Sequence, residues 1–184
     1  MRRHDFGATW QQLLLRPGVN YQASRKLMLT AGYAYVRSYS YAAPGPAVNE
    51  HRFWEQAWLR YATGRVRWST RLRFENRFIG ASAGAGNNYR LENRVRAWQQ
   101  VTRPVSRRVY LTAYDEVWFY VAPYQSQSAF DQNRAYAGVG FSLRMTVRME
   151  MAYMNQLIKR RSGNVWDSNH TLAISLFSTT PLRF

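Results

Sequence analysis

The most constraining feature of the sequence is a strict alternation of charged and apolar residues between positions 65 and 78. The odd positions carry five arginines, a serine and a glutamate, whereas the even positions are mostly apolar. Successive side chains of a β-strand point to opposite faces, so this stretch has one charged face and one apolar face. A helix would mix the two sets around its circumference. The alternation therefore predicts a long β-strand.

Alternation that is as strong as that at 65–78, or weaker, recurs along the chain. Together these stretches predict nine strands. They cover about residues 10–22, 27–39, 53–62, 65–78, 89–101, 108–120, 132–144, 147–158 and 168–178. Most have roughly 10–14 residues, whereas typical strands of soluble proteins have about 5–6. Short and long connections alternate along the chain, as in an antiparallel up-and-down meander. No linker or change of composition interrupts the pattern, so residues 1–184 are predicted to form a single domain.

Strands of this length suit a transmembrane β-barrel, because a tilted strand crosses the hydrocarbon band with about 9–11 residues. Aromatic residues also gather near the predicted strand ends, as they do in interfacial girdles, and Tyr39, Phe53, Trp54 and Phe119 are among them. The longest stretch without Lys, Arg, Asp or Glu is residues 168–182, which is 15 residues long. A membrane-spanning helix needs about 20 mostly apolar residues. The predicted fold class is therefore all-β, an antiparallel up-and-down transmembrane β-barrel with nine strands visible.

Several sequence strings carry a family resemblance. They are NEHRFWEQ (49–56), RLRFENRF (71–78), RLENRVR (90–96), YDE (114–116), FDQNRAYAGVGF (130–141), AYMNQ (152–156) and NHTLAISLF (169–177). In this order they resemble the DUF2490 family, bacterial proteins thought to be outer-membrane β-barrels of unassigned function. The resemblance extends from about Trp10 to Phe184. It implies a β-barrel in the bacterial outer membrane, and it brings no activity and no catalytic residue.

The strand count leads to an expectation about the N-terminus. In such barrels the last strand ends at the periplasm, and counting back places the start of the first predicted strand on the outer side. Single-chain bacterial barrels normally have an even number of strands. We therefore expect a signal peptide and at least one further strand upstream of Met1, with ten or twelve strands in the intact protein. A count that is wrong by one strand would remove this expectation.

Two neighbouring strands share the pattern Arg-x-Glu-Asn-Arg at a spacing of 17 residues, in RFENRF (73–78) and RLENRV (90–95). A symmetric hairpin would place like charges directly opposite each other, which is destabilising. A slip of two residues pairs unlike charges instead. It yields either Glu75–Arg94 with Arg77–Glu92, or Glu75–Arg90 with Arg73–Glu92. One of these two registers is predicted.

The same reasoning places Glu116 near Arg94 or Arg96, and Glu150 near Arg144 or Arg148. It also assigns to Gly138 and Gly140 the role of making room for neighbouring arginine or tyrosine side chains. The predicted lumen charge network comprises Arg71, Arg73, Glu75, Arg77, Arg90, Glu92, Arg94, Arg96, Glu116, Arg134, Arg148 and Glu150.

Three interpretations of this network remain open. Ion pairs would fill and close the lumen of a small barrel, whose interior is only wide enough for side chains. Alternatively, the excess of arginine would form a restricted pore for small anionic solutes, because rings of Arg or Lys select anions. The alternative outside the membrane is a soluble basic β-protein that binds nucleic acid through its arginine face, with aromatic side chains for stacking. The formal net charge of +16 and the 16% of aromatic residues first suggest this last interpretation. The barrel interpretation is preferred, and with it no nucleic acid is expected as a partner.

Catalytic and metal sites are not expected. The three histidines, His4, His51 and His170, do not have the spacing of metal ligands, and cysteine is absent. His170 lies close to Ser168 and Ser175 in sequence, but no nucleophile-elbow string accompanies them. We therefore predict no enzyme activity, no cofactor and no metal. Outer-membrane lipid is the expected partner. Basic residues near the outer rim would either be ordinary solvated loop charges or bind the phosphates of lipopolysaccharide. The candidates for this contact are Arg37, His51, Arg52, Lys159, Arg160 and Arg161.

Overall fold

The computed structural model describes residues 2–4, 9–39, 47–80, 88–121, 129–160 and 165–179, with side chains from residue 12 onward. These residues form eleven strands. They are β1 (Arg2–His4), β2 (Thr9–Leu15), β3 (Gly18–Gln22), β4 (Leu27–Ser38), β5 (Val48–Thr63), β6 (Val66–Gly80), β7 (Tyr89–Pro104), β8 (Val109–Val121), β9 (Phe130–Arg144), β10 (Val147–Lys159) and β11 (Trp166–Ser178). Over these same ranges no helix is long and apolar enough to cross a membrane.

The strands form one sheet in which neighbours in sequence are neighbours in space. The order is β1-β2-β4-β5-β6-β7-β8-β9-β10-β11, and β3 pairs with β4 beside β2. Short connections at 23–26, 64–65, 105–108 and 145–146 alternate with longer ones. Gly64 occupies the turn between β5 and β6 with a φ of 59°, a left-handed conformation that glycine adopts without steric cost. The fold class is therefore the predicted one, all-β with antiparallel up-and-down strands.

Each predicted strand is present, with three differences. The predicted strand 10–22 is divided into β2 and β3 at Arg16–Pro17, because proline has no N–H to continue the ladder. Strand β5 begins at Val48, five residues before the predicted start at residue 53. The prediction also started one strand too late, because β1 precedes β2 and pairs with it in antiparallel orientation.

The chain divides into two compact units, and several long strands contribute residues to both. Unit 1 comprises Met1–Ala57, Leu72–Val95 and Tyr120–Ala129, and unit 2 comprises Trp58–Arg71, Arg96–Phe119 and Phe130–Phe184. In unit 1 the buried apolar residues include Ala34, Val36 and Trp54. In unit 2 they include Tyr110, Trp118 and Ala152. Each unit also buries polar and charged side chains, among them Arg73 in unit 1 and Glu116 in unit 2.

Candidate functional site

Over residues 72–77 of β6 the charged side chains are buried, and the apolar side chains of Leu72 and Phe74 are exposed. Arg73 and Glu75 are 5% and 3% exposed, and Arg77 is also buried. Leu72 and Phe74, which alternate with them, are 54% and 37% exposed. A water-soluble domain normally has the opposite arrangement, because apolar surface is what leaves water on folding. Polar side chains inside and apolar side chains outside are typical of transmembrane β-barrels.

Within unit 1, Glu50 and Glu92 bridge three arginines. The Arg77 Nε lies 2.5 Å from Glu50 Oε1, and Arg52 Nε lies 2.5 Å from the same oxygen. A second nitrogen of Arg77, NH1, lies 3.4 Å from Glu92 Oε2. Arg90 NH2 then lies 2.8 Å from Glu92 Oε1. The result is a continuous chain of charge-assisted hydrogen bonds across β5, β6 and β7.

Also within unit 1, Glu75 pairs with Arg94. The Arg94 NH2 and Nε atoms lie 2.6 Å and 3.1 Å from Glu75 Oε2. Arg73 NH1 lies 3.7 Å from the other carboxylate oxygen, and the Arg73 NH2 donates to Gln56 Oε1 at 2.5 Å. The Arg73 guanidinium also lies over the Trp54 ring, 4.7 Å from its centroid. Arg73 is thus held by an amide, a ring face and a carboxylate.

These contacts confirm one of the two predicted registers of the β6–β7 hairpin. The ion pairs Glu75–Arg94 and Arg77–Glu92 are both present. The alternative register would have paired Glu75 with Arg90 instead. The symmetric hairpin is absent, as the repeated Arg-x-Glu-Asn-Arg pattern predicts, because it would place like charges directly opposite each other.

Within unit 2, one carboxylate is shared by three arginines. Glu116 Oε1 lies 2.8 Å from Arg71 NH2 and 2.7 Å from Arg96 NH2, and Glu116 Oε2 lies 3.9 Å from Arg134 NH1. The pairing of Glu116 with Arg96 agrees with the prediction. Two of these guanidinium groups, from Arg96 and Arg134, also lie over the Trp118 ring at 4.1 Å and 4.6 Å. Such cation–π contacts gain strength when they are desolvated.

The prediction for Glu150 is wrong. Its carboxylate accepts hydrogen bonds from the hydroxyl groups of Tyr110, at 2.6 Å, and Tyr136, at 3.1 Å. The predicted arginine partners were Arg144 and Arg148. The prediction considered only neighbours along the strand, whereas the partners come from β8 and β9, which the sheet brings to the same face. The alternation that placed both tyrosines on one face was visible in the sequence and is the signal that could have identified them.

Near Glu150, an arginine lies over an aromatic ring and two glycines allow close packing. The Arg148 guanidinium lies over the Phe177 ring, 5.8 Å from its centroid. A Cβ at Gly140 would lie 2.0 Å from Tyr110 Cζ, so this glycine makes room for a tyrosine, as predicted. A Cβ at Gly138 would instead meet Ala152 Cβ at 2.5 Å. Gly138 thus allows close approach of β10 rather than of a large side chain.

The tryptophans of the buried face are functional candidates that the sequence did not identify. Trp54 belonged to the aromatic residues expected at the membrane interface, but it is buried and lies below Arg73 and Arg16. Trp54 and Trp118 occupy even positions that alternate with outward-facing residues such as Phe53 and Phe119, so strand parity was the available signal.

The basic residues proposed for contact with lipopolysaccharide have different surroundings. Arg52 is bound to Glu50, on the buried face. His51, by contrast, forms hydrogen bonds with the Tyr33 hydroxyl at 2.5 Å and the Tyr89 hydroxyl at 3.3 Å. Of the remaining candidates, Arg37 lies over Tyr39, Lys159 lies over Trp166, Arg160 pairs with Asp167, and Arg161 lies outside the described residues. Among the side chains that the structure describes, no group of three or more His, Asp and Glu residues is arranged to hold a metal ion.

Comparison with protein families identifies the relatives of this chain. A family model described as "Protein of unknown function (DUF2490)" matches residues 1–167. The chain belongs to the DUF2490 family. The resemblance seen in the sequence strings is thereby confirmed as far as residue 167, and the string at 169–177 lies outside the matched residues. An uncharacterized protein of Methylorubrum extorquens is 26% identical to this DUF2490 chain over 173 residues, which cover 90% of this chain and 72% of that protein.

A solved structure shows the same fold. The NanC porin, solved in a rhombohedral crystal form, aligns with the DUF2490 chain with a TM-score of 0.55. The alignment covers 92% of this chain and 94% of the porin chain at 11% sequence identity. At this level of identity the likeness concerns the fold alone, and it confirms the predicted β-barrel class.

Proposed function

We propose that this DUF2490 protein is an outer-membrane β-barrel whose arginine-rich interior forms a restricted passage for small anionic solutes. The porin-like fold supports a channel in the outer membrane. The apolar residues exposed on the sheet, such as Leu72 and Leu111, would face lipid. The charged residues on the opposite face would then line the lumen.

The observation that carries this proposal is the convergence of arginines on Glu116. Three guanidinium groups share one carboxylate there. Rings of arginine or lysine are a recurring means of anion selection in pores. The cluster would therefore attract anions and repel cations.

Unsatisfied hydrogen-bond donors give further support. Trp54 Nε1 in unit 1 is buried and has no hydrogen-bond partner among the described residues, and the same is true of Gln132 Nε2 in unit 2. A buried donor without a partner costs free energy unless water or a ligand satisfies it. Both groups would donate to an anionic or carbonyl-bearing solute.

The ion pairs limit how wide such a passage can be. Several arginines lie within 2.5–2.8 Å of their carboxylate partners, including Arg77 to Glu50 and Arg71 to Glu116. These ion pairs would keep the long arginine side chains extended across the interior. The proposal is therefore a narrow path for small solutes, and closure of the interior by these pairs is the competing outcome.

The nucleic-acid alternative requires an exposed arginine face. Arg73, Arg77 and Arg94 are all buried, whereas the opposite face carries the exposed apolar residues. Phosphate binding depends on cationic side chains that can reach the nucleic-acid backbone. The burial of these arginines therefore argues against this alternative.

The test is single-channel conductance of the full-length protein in a planar bilayer with a salt gradient. We expect discrete openings with a reversal potential that indicates anion preference. The double variant Arg71→Gln/Arg134→Gln leaves Arg96 on Glu116 and should move the reversal potential toward zero. Arg37→Gln is the matched control, because Arg37 lies exposed beside Tyr39 and its loss should leave selectivity unchanged.

Three outcomes would contradict the proposal. Insertion of folded protein without any conductance would mean that the interior is closed. Cation preference would mean that the arginines do not control permeation. Equal selectivity of the wild type and the double variant would exclude the Glu116 cluster as the selective element.

A further inference from the structure

A polar cluster lies on the face of β10 and β11 that is opposite the charge network. Its members are Tyr153 and Asn155 on β10 and Ser168 and His170 on β11. The antiparallel register places Asn155 directly opposite His170. These residues share their face with Leu172 and Ile174, which are 86% and 75% exposed. The cluster therefore lies on the side of the sheet that would face lipid.

Within the cluster a serine lies beside one ring nitrogen of a histidine, and two further polar groups lie beside the other ring nitrogen. Ser168 Oγ lies 3.4 Å from His170 Nε2. The other ring nitrogen, Nδ1, is hydrogen-bonded to the Tyr153 hydroxyl and lies 3.4 Å from Asn155 Nδ2. Asn155 Nδ2 donates to Ser168 Oγ at 2.9 Å. A nucleophile, a base and a group that orients the base are the elements by which such sites are recognised, and unliganded sites often have long nucleophile–base distances.

We propose that Ser168 and His170 are the nucleophile and base of a hydrolase that cleaves carboxylic esters of membrane lipids. Tyr153 would accept the Nδ1–H of His170 and so leave Nε2 free to act as the base. Asn155 would donate its amide N–H to the oxyanion that forms when the ester carbonyl is attacked. Tyr153 is then a positioning residue, and the other three are catalytic residues.

The reaction balances with water as the only co-reactant. The Ser168 O–H bond breaks, its proton moves to His170 Nε2, and Oγ forms a bond to the ester carbon. The carbonyl π electrons move to the oxygen and return as the bond from carbon to the alcohol oxygen breaks. The alcohol leaves with the proton from His170. Water then repeats the sequence on the acyl-serine, releasing a carboxylic acid and restoring the Ser168 hydroxyl.

The position of the cluster on the strands suits a lipid ester. Ser168 and His170 are the third and fifth residues of β11, next to Trp166 at its start. Trp166 packs on Phe130, and the Lys159 ammonium lies over its ring at 5.4 Å. Tryptophan and lysine of this kind mark the membrane–water interface. A lipid presents its ester bonds at that depth, with its acyl chains along the apolar surface of Leu172 and Ile174.

This inference departs from the sequence-based expectation that the chain is not an enzyme. That expectation rested on the absence of a nucleophile-elbow string, and the neighbouring Ser168 and His170 alone did not outweigh it. The cross-strand partners Tyr153 and Asn155 become visible only from the register of β10 and β11. The site is independent of the proposed passage, because it lies on the opposite face.

The test uses the full-length protein purified in detergent micelles that contain a diacyl phospholipid. We expect fatty-acid release, and we expect an alkyl fluorophosphonate to label Ser168 covalently. Ser168→Ala should abolish the label and lower the hydrolysis rate at least about 1000-fold. Asn155→Leu should lower kcat by about 100–1000-fold with little change in KM, as expected for loss of an oxyanion donor. Tyr153→Phe should lower kcat but keep the label.

Ser175→Ala is the matched control, because Ser175 lies on the same strand and pairs with Glu150 on the other face. It should retain full activity and labelling. Far-ultraviolet circular dichroism of every variant verifies that the sheet is intact. The proposal is overturned if folded wild-type protein neither reacts with the fluorophosphonate nor hydrolyses lipid faster than Ser168→Ala. It is also overturned if hydrolysis survives in Ser168→Ala.

Discussion

The carboxylate of Glu116 is a group whose loss should destabilise this fold strongly. It accepts from Arg71 and Arg96 at 2.8 Å and 2.7 Å, and Arg134 lies 3.9 Å away. Glu116→Gln keeps the shape of the side chain but leaves three guanidinium groups around an uncharged amide. Removing one partner of a buried ion pair typically costs about 3–5 kcal/mol, because the remaining charge stays buried.

The partial exposure of the arginines lowers the loss of stability that we expect for Glu116→Gln. The Glu116 side chain is only 4% exposed, whereas those of Arg71 and Arg134 are 22% and 20% exposed. Water would therefore solvate part of the charge left behind. We expect a loss near the lower end of the range, about 3 kcal/mol in the free energy of unfolding.

The assay is reversible urea unfolding in lipid vesicles, followed by tryptophan fluorescence. Trp118 is a local reporter, because the Arg96 guanidinium lies 4.1 Å from its ring centroid. Asp115→Asn is the matched control. It removes the same charge from the adjacent residue, which is exposed. The Asp115 carboxylate accepts one hydrogen bond from Asn133 Nδ2, at 2.6 Å. This control should cost less than about 1 kcal/mol.

Equal losses in the two variants would refute the stabilising role of the Glu116 carboxylate. A loss below about 1 kcal/mol for Glu116→Gln would likewise show that the arginines find other counter-charges or reach water. The prediction is tested by the urea midpoint of unfolding, provided that the slope of the free energy against urea concentration is the same in both proteins. A changed slope would mean that the compactness of the folded or the unfolded state has altered.

Three further predictions use the same unfolding assay. Gly140→Ala should destabilise by about 1–3 kcal/mol, because the new Cβ would lie 2.0 Å from Tyr110 Cζ; a neutral result would mean that the ring moves freely. Tyr136→Phe should lower the free energy of unfolding by about 1–2 kcal/mol, because it removes the hydrogen bond to Glu150. An unchanged midpoint would mean that water replaces the hydroxyl group. Arg94→Met should cost about 3–5 kcal/mol, and adding Glu75→Met should recover at least half of that loss; additive losses would contradict a mutually dependent pair.

Much of the fold was predictable because strand parity is a local property. The alternation at 65–78 specified which residues of β6 share a face, and the structure buries Arg73, Glu75 and Arg77 of the charged set. The repeated Arg-x-Glu-Asn-Arg pattern also limited the β6–β7 register to two choices, since like charges cannot face each other at low cost. Strand limits were less accurate where side-chain alternation weakened, as at the start of β5.

The site was predictable only in part, because partners on different strands depend on distances that the sequence does not contain. Glu150 was expected near arginines close to it in sequence, yet the sheet brings Tyr110 and Tyr136 to its two oxygens. Trp54 was expected at the interface, yet its parity and the glycines beside it turn the ring under Arg73.

The sequence by itself determined that the chain forms long antiparallel strands with one charged and one apolar face, because that pattern is written residue by residue. Tertiary structure alone decided which charges meet. Glu116 collects three arginines, and Asn155 reaches Ser168 and His170, only because the register of neighbouring strands places them within reach. A shift of one residue in that register would turn every side chain of a strand to the other face. The faces are thus a property of each strand, and the sites are a property of the sheet.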